Sequence, residues 1–116
     1  MDKLTSVIVE AADDKKAKNL VSMDLSGFDG AICSAFVICN ADSTTQVEAI
    51  ARGIEEKTAE ILNEKPIRVE GTTNALWVVM DYGDVMVHIF ETATREFYHL
   101  EELWGDAPKQ EHSTQE

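Results

Sequence analysis

The chain has 116 residues, the length of one domain, and its 22 acidic residues outnumber 10 lysines and arginines to give a net charge of −12. This charge argues against nucleic-acid backbones and anionic membranes as partners, because both bind through basic side chains, and it favours a basic protein surface. With 44% hydrophobic and 28% charged residues, the composition is that of a folded domain and not of a disordered segment.

The start of the chain and its two cysteines predict the compartment. No apolar run approaches the roughly 18 residues of a membrane-spanning helix, and residues 1–10 lack the features of a signal or transit peptide. We therefore expect a cytoplasmic protein in which Cys33 and Cys39 are reduced, buried thiols. The two cysteines are not spaced as metal ligands, so no zinc site is predicted.

The N-terminal part of the chain predicts one helix and two strands. Apolar residues recur at helical spacing from Leu4 to Ala12, and Asp2 can cap that helix. Its last turn is expected to hold three lysines, which the helix dipole favours: Lys15, Lys16 and Lys18. Residues 20–25 alternate like a strand, and the continuously apolar residues 35–39 predict a strand that is covered on both faces.

The middle of the chain predicts a second helix and a third strand. Ser43 and Gln46 form a capping-box pattern, in which the Gln46 side chain reaches back to the N-cap. The apolar stripe of this helix continues to Leu62, and Pro66 is expected to enforce its end. Residues 67–70 alternate and predict a short strand.

A third amphipathic helix is predicted near the C-terminus, with Thr92 or Thr94 as its cap and Gly105 at its end. Its apolar face is formed by Phe97, Leu100, Leu103 and Trp104. Residues 109–116 are polar and are expected to form a disordered tail after a single domain of residues 1–108. The element order α-β-β-α-β-β-β-α predicts an α/β fold, a mixed sheet of about five strands with three helices.

The clearest signal is a β-hairpin of residues 76–81 and 84–90, joined by Tyr82 and Gly83. With this two-residue turn, Asp81 would lie opposite Asp84, and faces alternate along each strand. One face is aliphatic and is expected to be core: Leu76, Val78, Met80, Val85, Val87 and Ile89. The other face mixes apolar, aromatic and acidic side chains: Trp77, Val79, Asp81, Asp84, Met86 and His88.

Two interpretations of this second face stay open from the residues alone. A helix can cover the face, with the two carboxylates turned to solvent at the hairpin end. Alternatively, the face is an exposed binding patch, in which apolar side chains supply contact area and the paired carboxylates receive a cation of a partner. The charge distribution suits a basic partner, since residues 69–108 contain eight acidic residues and only Arg95 among lysines and arginines.

The sequence does not favour an enzyme or a metal site. It contains no nucleophile motif and no phosphate-binding glycine loop. Asp84 and His88 are about 13 Å apart along one strand, too far to ligate one ion together with Asp81. We expect no catalytic residue, no metal and no cofactor.

Several coupled motifs within residues 4–108 resemble the ribosomal silencing factor family, also called the Iojap-related family. They are Val69-Glu70-Gly71, Trp77 followed by Asp81-Tyr82-Gly83-Asp84, Val87-His88, and Leu100-Glu101-Glu102-Leu103-Trp104. The resemblance implies a translation repressor that binds the large ribosomal subunit through ribosomal protein fourteen and blocks joining of the small subunit, with assistance to large-subunit maturation as a further role. The implied fold is similar to that of nucleotidyltransferases without their catalytic motif, which this chain also lacks.

The resemblance further implies which residues meet the partner. The family surface includes the tryptophan and the hairpin turn, which correspond here to Trp77, Asp81, Tyr82, Asp84 and His88. Val79 and Met86 share the same predicted face, so the binding-patch interpretation is the favoured one. Two rivals remain: a nucleotide-binding enzyme of nucleotidyltransferase type, and a homodimeric scaffold that buries this face against a second copy, a dimer that can also exist off the ribosome.

Overall fold

The computed structural model describes residues 2–31 and 33–112, and of Trp104 the backbone only. The described residues form three α-helices, one 3-10 helix and six strands. In chain order they are α1 (Lys3–Asp14), β1 (Lys18–Asp24), β2 (Ala35–Ala41), α2 (Thr44–Leu62), β3 (Arg68–Glu70), β4 (Trp77–Asp81), β5 (Val85–Glu91), α3 (Thr92–Tyr98), the 3-10 helix (Leu100–Trp104) and β6 (Lys109–Glu111).

The strands form one mixed sheet in the order β3-β4-β5-β2-β1-β6. The central pair β2 and β5 is parallel, and every other neighbouring pair is antiparallel. The predicted α/β class, mixed sheet and three helices are therefore confirmed, with a sixth strand in addition. None of the helices in the described part of the chain is long and apolar enough to cross a membrane.

The sixth strand corrects the expected start of the polar tail. Lys109–Glu111 pair antiparallel with β1 and extend the sheet by one edge strand. Strand pairing uses backbone groups, so an exposed polar segment can join the edge of a sheet although no apolar alternation in its sequence predicts a strand. Residues 113–116 of the expected tail lie outside the described residues.

The sheet carries its larger core on the side of α1 and α2. Side chains from both helices pack there with alternate residues of β2, β4 and β5. The opposite side holds a second, smaller cluster, which includes Phe36 and Ile38 of β2. β2 is thus covered on both faces, as its continuous apolar run predicts. Cys33 and Cys39 are free buried thiols, and burial raises the pKa of Cys39 to about 12.

The ends of α1 are set by local hydrogen bonds. The Asp2 carboxylate accepts from the Thr5 amide at 2.7 Å, which confirms the predicted N-cap. The helix ends at Asp14, so the predicted last turn with three lysines is wrong: Lys15 caps the helix, and Lys18 already belongs to β1.

Ser43 caps α2, and its hydroxyl accepts from the Gln46 amide at 3.1 Å, as predicted. The Gln46 side chain does not reach back to the cap. It donates instead to the Lys15 carbonyl at 2.6 Å, and so ties the start of α2 to the end of α1. The helix ends at Leu62 with Asn63 in the left-handed conformation, ahead of Pro66.

The predicted third helix is divided in two. α3 ends where His99 adopts a left-handed φ of 51°, and a 3-10 helix follows. The break changes the helical phase, so Leu100 is buried whereas Phe97 and Leu103 are 76% and 73% exposed. The cap is also different from the prediction, because the carboxylate of Glu91 accepts from the Thr94 amide. The expected continuous apolar face is therefore wrong.

Candidate partner-binding face of the hairpin

The hairpin turn lies one residue later than the sequence predicts. The Tyr82 amide donates to the Val85 carbonyl at 2.9 Å, so the turn residues are Gly83 and Asp84. Gly83 has a φ of +90°, which an L side chain rarely adopts, and its amide donates to the Asp81 carboxylate at 2.8 Å. This side-chain bond holds Asp81 at the turn, an arrangement typical of Asx turns.

The later turn shifts the strand register by two positions. Asp81 lies opposite Met86, and Trp77 opposite Phe90. The predicted opposition of Asp81 and Asp84 is therefore wrong, and so is that of Trp77 and His88. A shift of two leaves every side chain on its predicted face, because the side-chain period of a strand is two.

The aliphatic face of the hairpin packs into the core beneath α1 and α2. Its members Val78, Met80, Val85, Val87 and Ile89 are fully buried, as predicted. Leu76 is the exception, with 42% exposure: it precedes β4, and only its carbonyl joins the hairpin by accepting from the Glu91 amide at 2.9 Å.

The second face of the hairpin is covered over only part of its area. The segment between β1 and β2 and the 3-10 helix supply Leu25, Cys33 and Leu100 to the cluster over β2 and the end of β5. The part over β4 and the turn is open. We call this open part the hairpin face: the half-buried Trp77, Val79, Asp81 and Met86, and the exposed Asp84.

Tyr82 is placed away from the hairpin face. It is 8% exposed and lies on the side of the sheet that α2 covers. Its hydroxyl and that of Thr58 in α2 share a hydrogen bond of 2.9 Å. Burial raises the pKa of Tyr82, so its hydroxyl stays protonated. In this position the side chain ties the hairpin turn to α2.

His88 lies below the hairpin face and is 5% exposed. Its Nδ1 accepts a hydrogen bond from the Trp77 indole Nε1 at 3.1 Å. The Phe36 ring meets the imidazole edge-on, with 4.6 Å between the ring centroids. Burial lowers the pKa of His88 to about 4, so the ring is neutral near pH 7.

Trp77 links the hairpin face to a second apolar region. Its indole stacks on Phe90 with ring centroids 4.9 Å apart and meets Tyr98 of α3 at 5.0 Å. A groove of about 530 Å³, the α3 groove, lies beside it and is lined by Asn74, Leu76, Trp77, Ala93, Thr94, Phe97 and Tyr98. Phe97 and Tyr98 are 76% and 52% exposed. Sequence reasoning missed these residues, because helical periodicity predicts Phe97 to be buried.

Gly71 fixes the start of β4, where Trp77 begins the strand. It has a φ of +90°, and a Cβ added there would lie 2.1 Å from the Trp77 carbonyl oxygen. No residue other than glycine can allow this approach of two backbone segments. The Val69-Glu70-Gly71 motif therefore has a structural role next to the hairpin face.

Acidic side chains outnumber basic ones in this region, and Arg95 is used internally. The Arg95 side chain is 10% exposed, and its Nε and Nη2 donate to the two carboxylate oxygens of Glu101 at 3.1 and 2.7 Å. Its Nη1 donates to the Asn19 carbonyl and to the Asn40 side chain. The pKa of Glu101 is lowered by this pairing. Residues 69–108 contain no other lysine or arginine, but two basic residues just outside this range lie close by: Arg68 of β3 is directly opposite Asp81, and Lys109 acts on Glu101.

The described part of the chain contains no group of three histidine, cysteine, aspartate or glutamate side chains that could hold a metal ion. In particular, the imidazole of His88 is buried against aromatic rings, while Asp84 is exposed at the turn. What the hairpin face offers is an apolar patch with carboxylates at one end.

Comparison with known protein families gives a match over the whole chain. The family described as "Ribosomal silencing factor during starvation" matches residues 1–116. Ribosomal silencing factor RsfS of Halalkalibacterium halodurans is 43% identical over 105 residues, which cover 90% of this chain and 88% of the relative. RsfS of Bacillus subtilis is 40% identical over 108 residues, which cover 90% and 87% of the two chains.

Solved structures show the same fold. A crystal structure of a Chromobacterium violaceum protein superposes with a TM-score of 0.84 at 31% identity, covering 90% of this chain and 88% of the other. A Bacillus halodurans protein superposes with a TM-score of 0.79 at 38% identity, covering 95% and 98%. A chloroplast relative, protein Iojap of Zea mays, is 39% identical over 75 residues, or 62% of this chain and 31% of its own length.

Proposed function

Because the chain belongs to the ribosomal silencing factor family, we propose that it represses translation by binding the large ribosomal subunit through ribosomal protein fourteen. Bound there, it blocks joining of the small subunit by occupying the surface that the small subunit needs. Assistance to large-subunit maturation is compatible with the same contact. We propose a cytoplasmic site of action, since that is where the subunits meet.

The observation that carries the proposal is the composition of the hairpin face. Trp77 and Met86 pack against the second core cluster but are only half-buried, as is Val79, so all three offer apolar contact area, and Trp is among the residues that dominate binding energy at interfaces. Asp81 and Asp84 stand at one end of the patch, where a partner's lysine or arginine can pair with them. Acidic residues outnumber basic ones in this part of the chain, where Arg95 is paired with Glu101 and Arg68 lies opposite Asp81, and this excess favours a basic partner over a second acidic copy.

The proposed contact differs from the residue set that the family resemblance implies. Tyr82 and His88 are buried, so we assign them to the support of the face and not to direct contact. Leu76, Phe97 and Tyr98 border Trp77 through the α3 groove, and we include them at the edge of the contact. The proposed activity is occlusion by a bound protein, without catalysis, metal or cofactor.

A binding titration with purified ribosomal protein fourteen tests the proposal. Trp77→Ala with Asp81→Lys should weaken binding at least about ten-fold, because it removes a central aromatic anchor and reverses a charge. The matched control is Ile61→Ala with Glu56→Lys, which makes the same kinds of change at exposed positions of α2, on the other side of the sheet. The control should bind like the parent protein.

Two results would contradict the proposal. One is undiminished binding by the hairpin-face variant when circular dichroism shows that it is folded. The other is a parent protein that does not bind ribosomal protein fourteen but forms a dimer by light scattering, with the dimer lost in the same variant. That second result would assign the hairpin face to self-association.

A further inference from the structure

The Trp77–His88 pair has a defined arrangement of donors and acceptors. An indole N–H can only donate, so Nδ1 of His88 must be the acceptor in the 3.1 Å bond between them. The proton of the neutral imidazole is therefore on Nε2. Since burial lowers the pKa of His88 to about 4, this is the tautomer present near pH 7.

The second ring nitrogen of His88 lowers the stability of the folded chain. Nε2 of His88 is buried and has no hydrogen-bond partner among the described residues. A buried donor without a partner costs free energy, which an apolar side chain at the same place would avoid. The surroundings would suit such a side chain, because the rings of Phe36 and Phe90 flank the imidazole at 4.6 and 6.4 Å.

What an apolar side chain could not supply is the acceptor for Trp77. The contacts of the indole with Phe90 and Tyr98 are ring contacts, in which the N–H takes no part. The bond to His88 adds a directional contact, which holds the N–H on the side of Nδ1. A side chain that is already held in its bound orientation loses less conformational entropy when a partner binds.

We propose that His88 is a positioning residue, whose Nδ1 holds the half-exposed indole of Trp77 in the orientation in which it meets the partner. This inference rests on the proposed function only in taking that a partner binds at Trp77. The orientation of the indole is present in the free protein. His88 does not touch the partner. Its contribution to binding passes through the indole N–H of Trp77, so it requires that N–H to be present.

A double-mutant cycle tests this dependence. The parent carries Trp104→Phe, which leaves Trp77 as the only tryptophan of the chain. His88→Leu should weaken binding to purified large subunits about five-fold, the value of one neutral hydrogen bond. In a Trp77→Phe background, which has no N–H to hold, the same His88→Leu change should have less than about two-fold effect. His88→Gln should restore part of the loss, because its amide oxygen can accept.

A second measurement does not need the ribosome. Time-resolved fluorescence anisotropy of Trp77 in the free protein should show faster local motion in His88→Leu than in the parent, and partial recovery in His88→Gln. His88→Phe is made alongside, so that a folding failure of one apolar variant leaves the other.

The outcomes separate this inference from the proposed function. Equal losses of binding with Trp77 present and in the Trp77→Phe background, or no loss in either, would overturn the positioning role. If the unsubstituted protein does not bind large subunits, the proposed function fails, and the anisotropy then decides alone: unchanged local motion of Trp77 in the folded apolar variants would overturn the inference.

Discussion

Neighbouring residues of the hairpin have separate tasks, because successive side chains of a strand point to opposite sides of the sheet. Asp81 is half-buried on the hairpin face, where its carboxylate also receives the Gly83 amide. Tyr82, the next residue, is buried on the other side and shares a hydrogen bond with Thr58. One motif thus combines a proposed contact residue with a residue that ties the turn to α2.

Substitution of Tyr82 distinguishes anchoring from contact. Tyr82→Phe should lower the free energy of unfolding by about 1 kcal/mol, since it removes one buried hydrogen bond and keeps the ring. Urea denaturation measures this change. Affinity for the large subunit should stay at the parent value. A clear loss of affinity with unchanged stability would instead place the Tyr82 hydroxyl in the interface.

His88 should make stability depend on pH in a defined range. Its pKa is about 4 in the folded chain and 6.5 when unperturbed, so between these values only the unfolded chain binds the proton. Stability should therefore fall as the pH drops from about 6.5 to about 4, by up to about 3 kcal/mol from this group. His88→Leu is the control, and its stability difference from the parent should change across this range. A constant difference would show that His88 titrates normally.

The hairpin also shows what can be predicted at the level of residues. Alternation separates its two faces correctly, because the observed register shift of two keeps each side chain on the same face. How far each side chain is buried is not predictable in the same way. His88 is buried by residues that include Phe36, which is far away in the chain and meets its ring edge-on. The register itself depends on the Asp81 bond to Gly83, which competes with a turn at Tyr82 and Gly83.

Among the elements, α1 and α2 follow from local signals, and the C-terminal elements do not. Asp2 and Ser43 cap their helices as their sequence positions predict. After Tyr98 the left-handed conformation of His99 interrupts the helix, and no proline or glycine marks that point. β6 likewise has no apolar pattern that would predict a strand, and its pairing with β1 needs none because it uses backbone groups. Phe97 and Tyr98, the last residues before the break, line the groove beside Trp77.

A continuous helix would bury Phe97 and Leu100 together. Because the helix breaks at His99, their substitutions should have unequal effects on stability. Leu100→Ala should destabilise the protein by about 2 to 3 kcal/mol, because it leaves a cavity in the second cluster. Phe97→Ala should change stability by less than about 0.5 kcal/mol, since the side chain is mostly exposed. Urea unfolding of the two variants checks this contrast. Equal destabilisation would mean that α3 continues through His99.

At the scale of the whole molecule, the charge distribution and the fold both favour the same side of the sheet as the contact surface. The chain has a net charge of −12, and one side of its sheet is closed by α1 and α2. The other side presents the hairpin face and the α3 groove, where acidic residues are in excess: Arg95 is paired with Glu101, and Arg68 lies opposite Asp81. A negative surface of this kind speeds encounter with a basic partner. We therefore place the proposed repressor activity on this one side.

The most direct test of that claim is a subunit-joining assay followed by light scattering. Purified large subunits, incubated with a saturating amount of the protein, are mixed with small subunits. The parent protein and the Ile61→Ala, Glu56→Lys control should prevent the rise in scattering, and the Trp77→Ala, Asp81→Lys variant should not. Normal joining in the presence of the parent protein, or equal inhibition by the hairpin-face variant, would contradict the account.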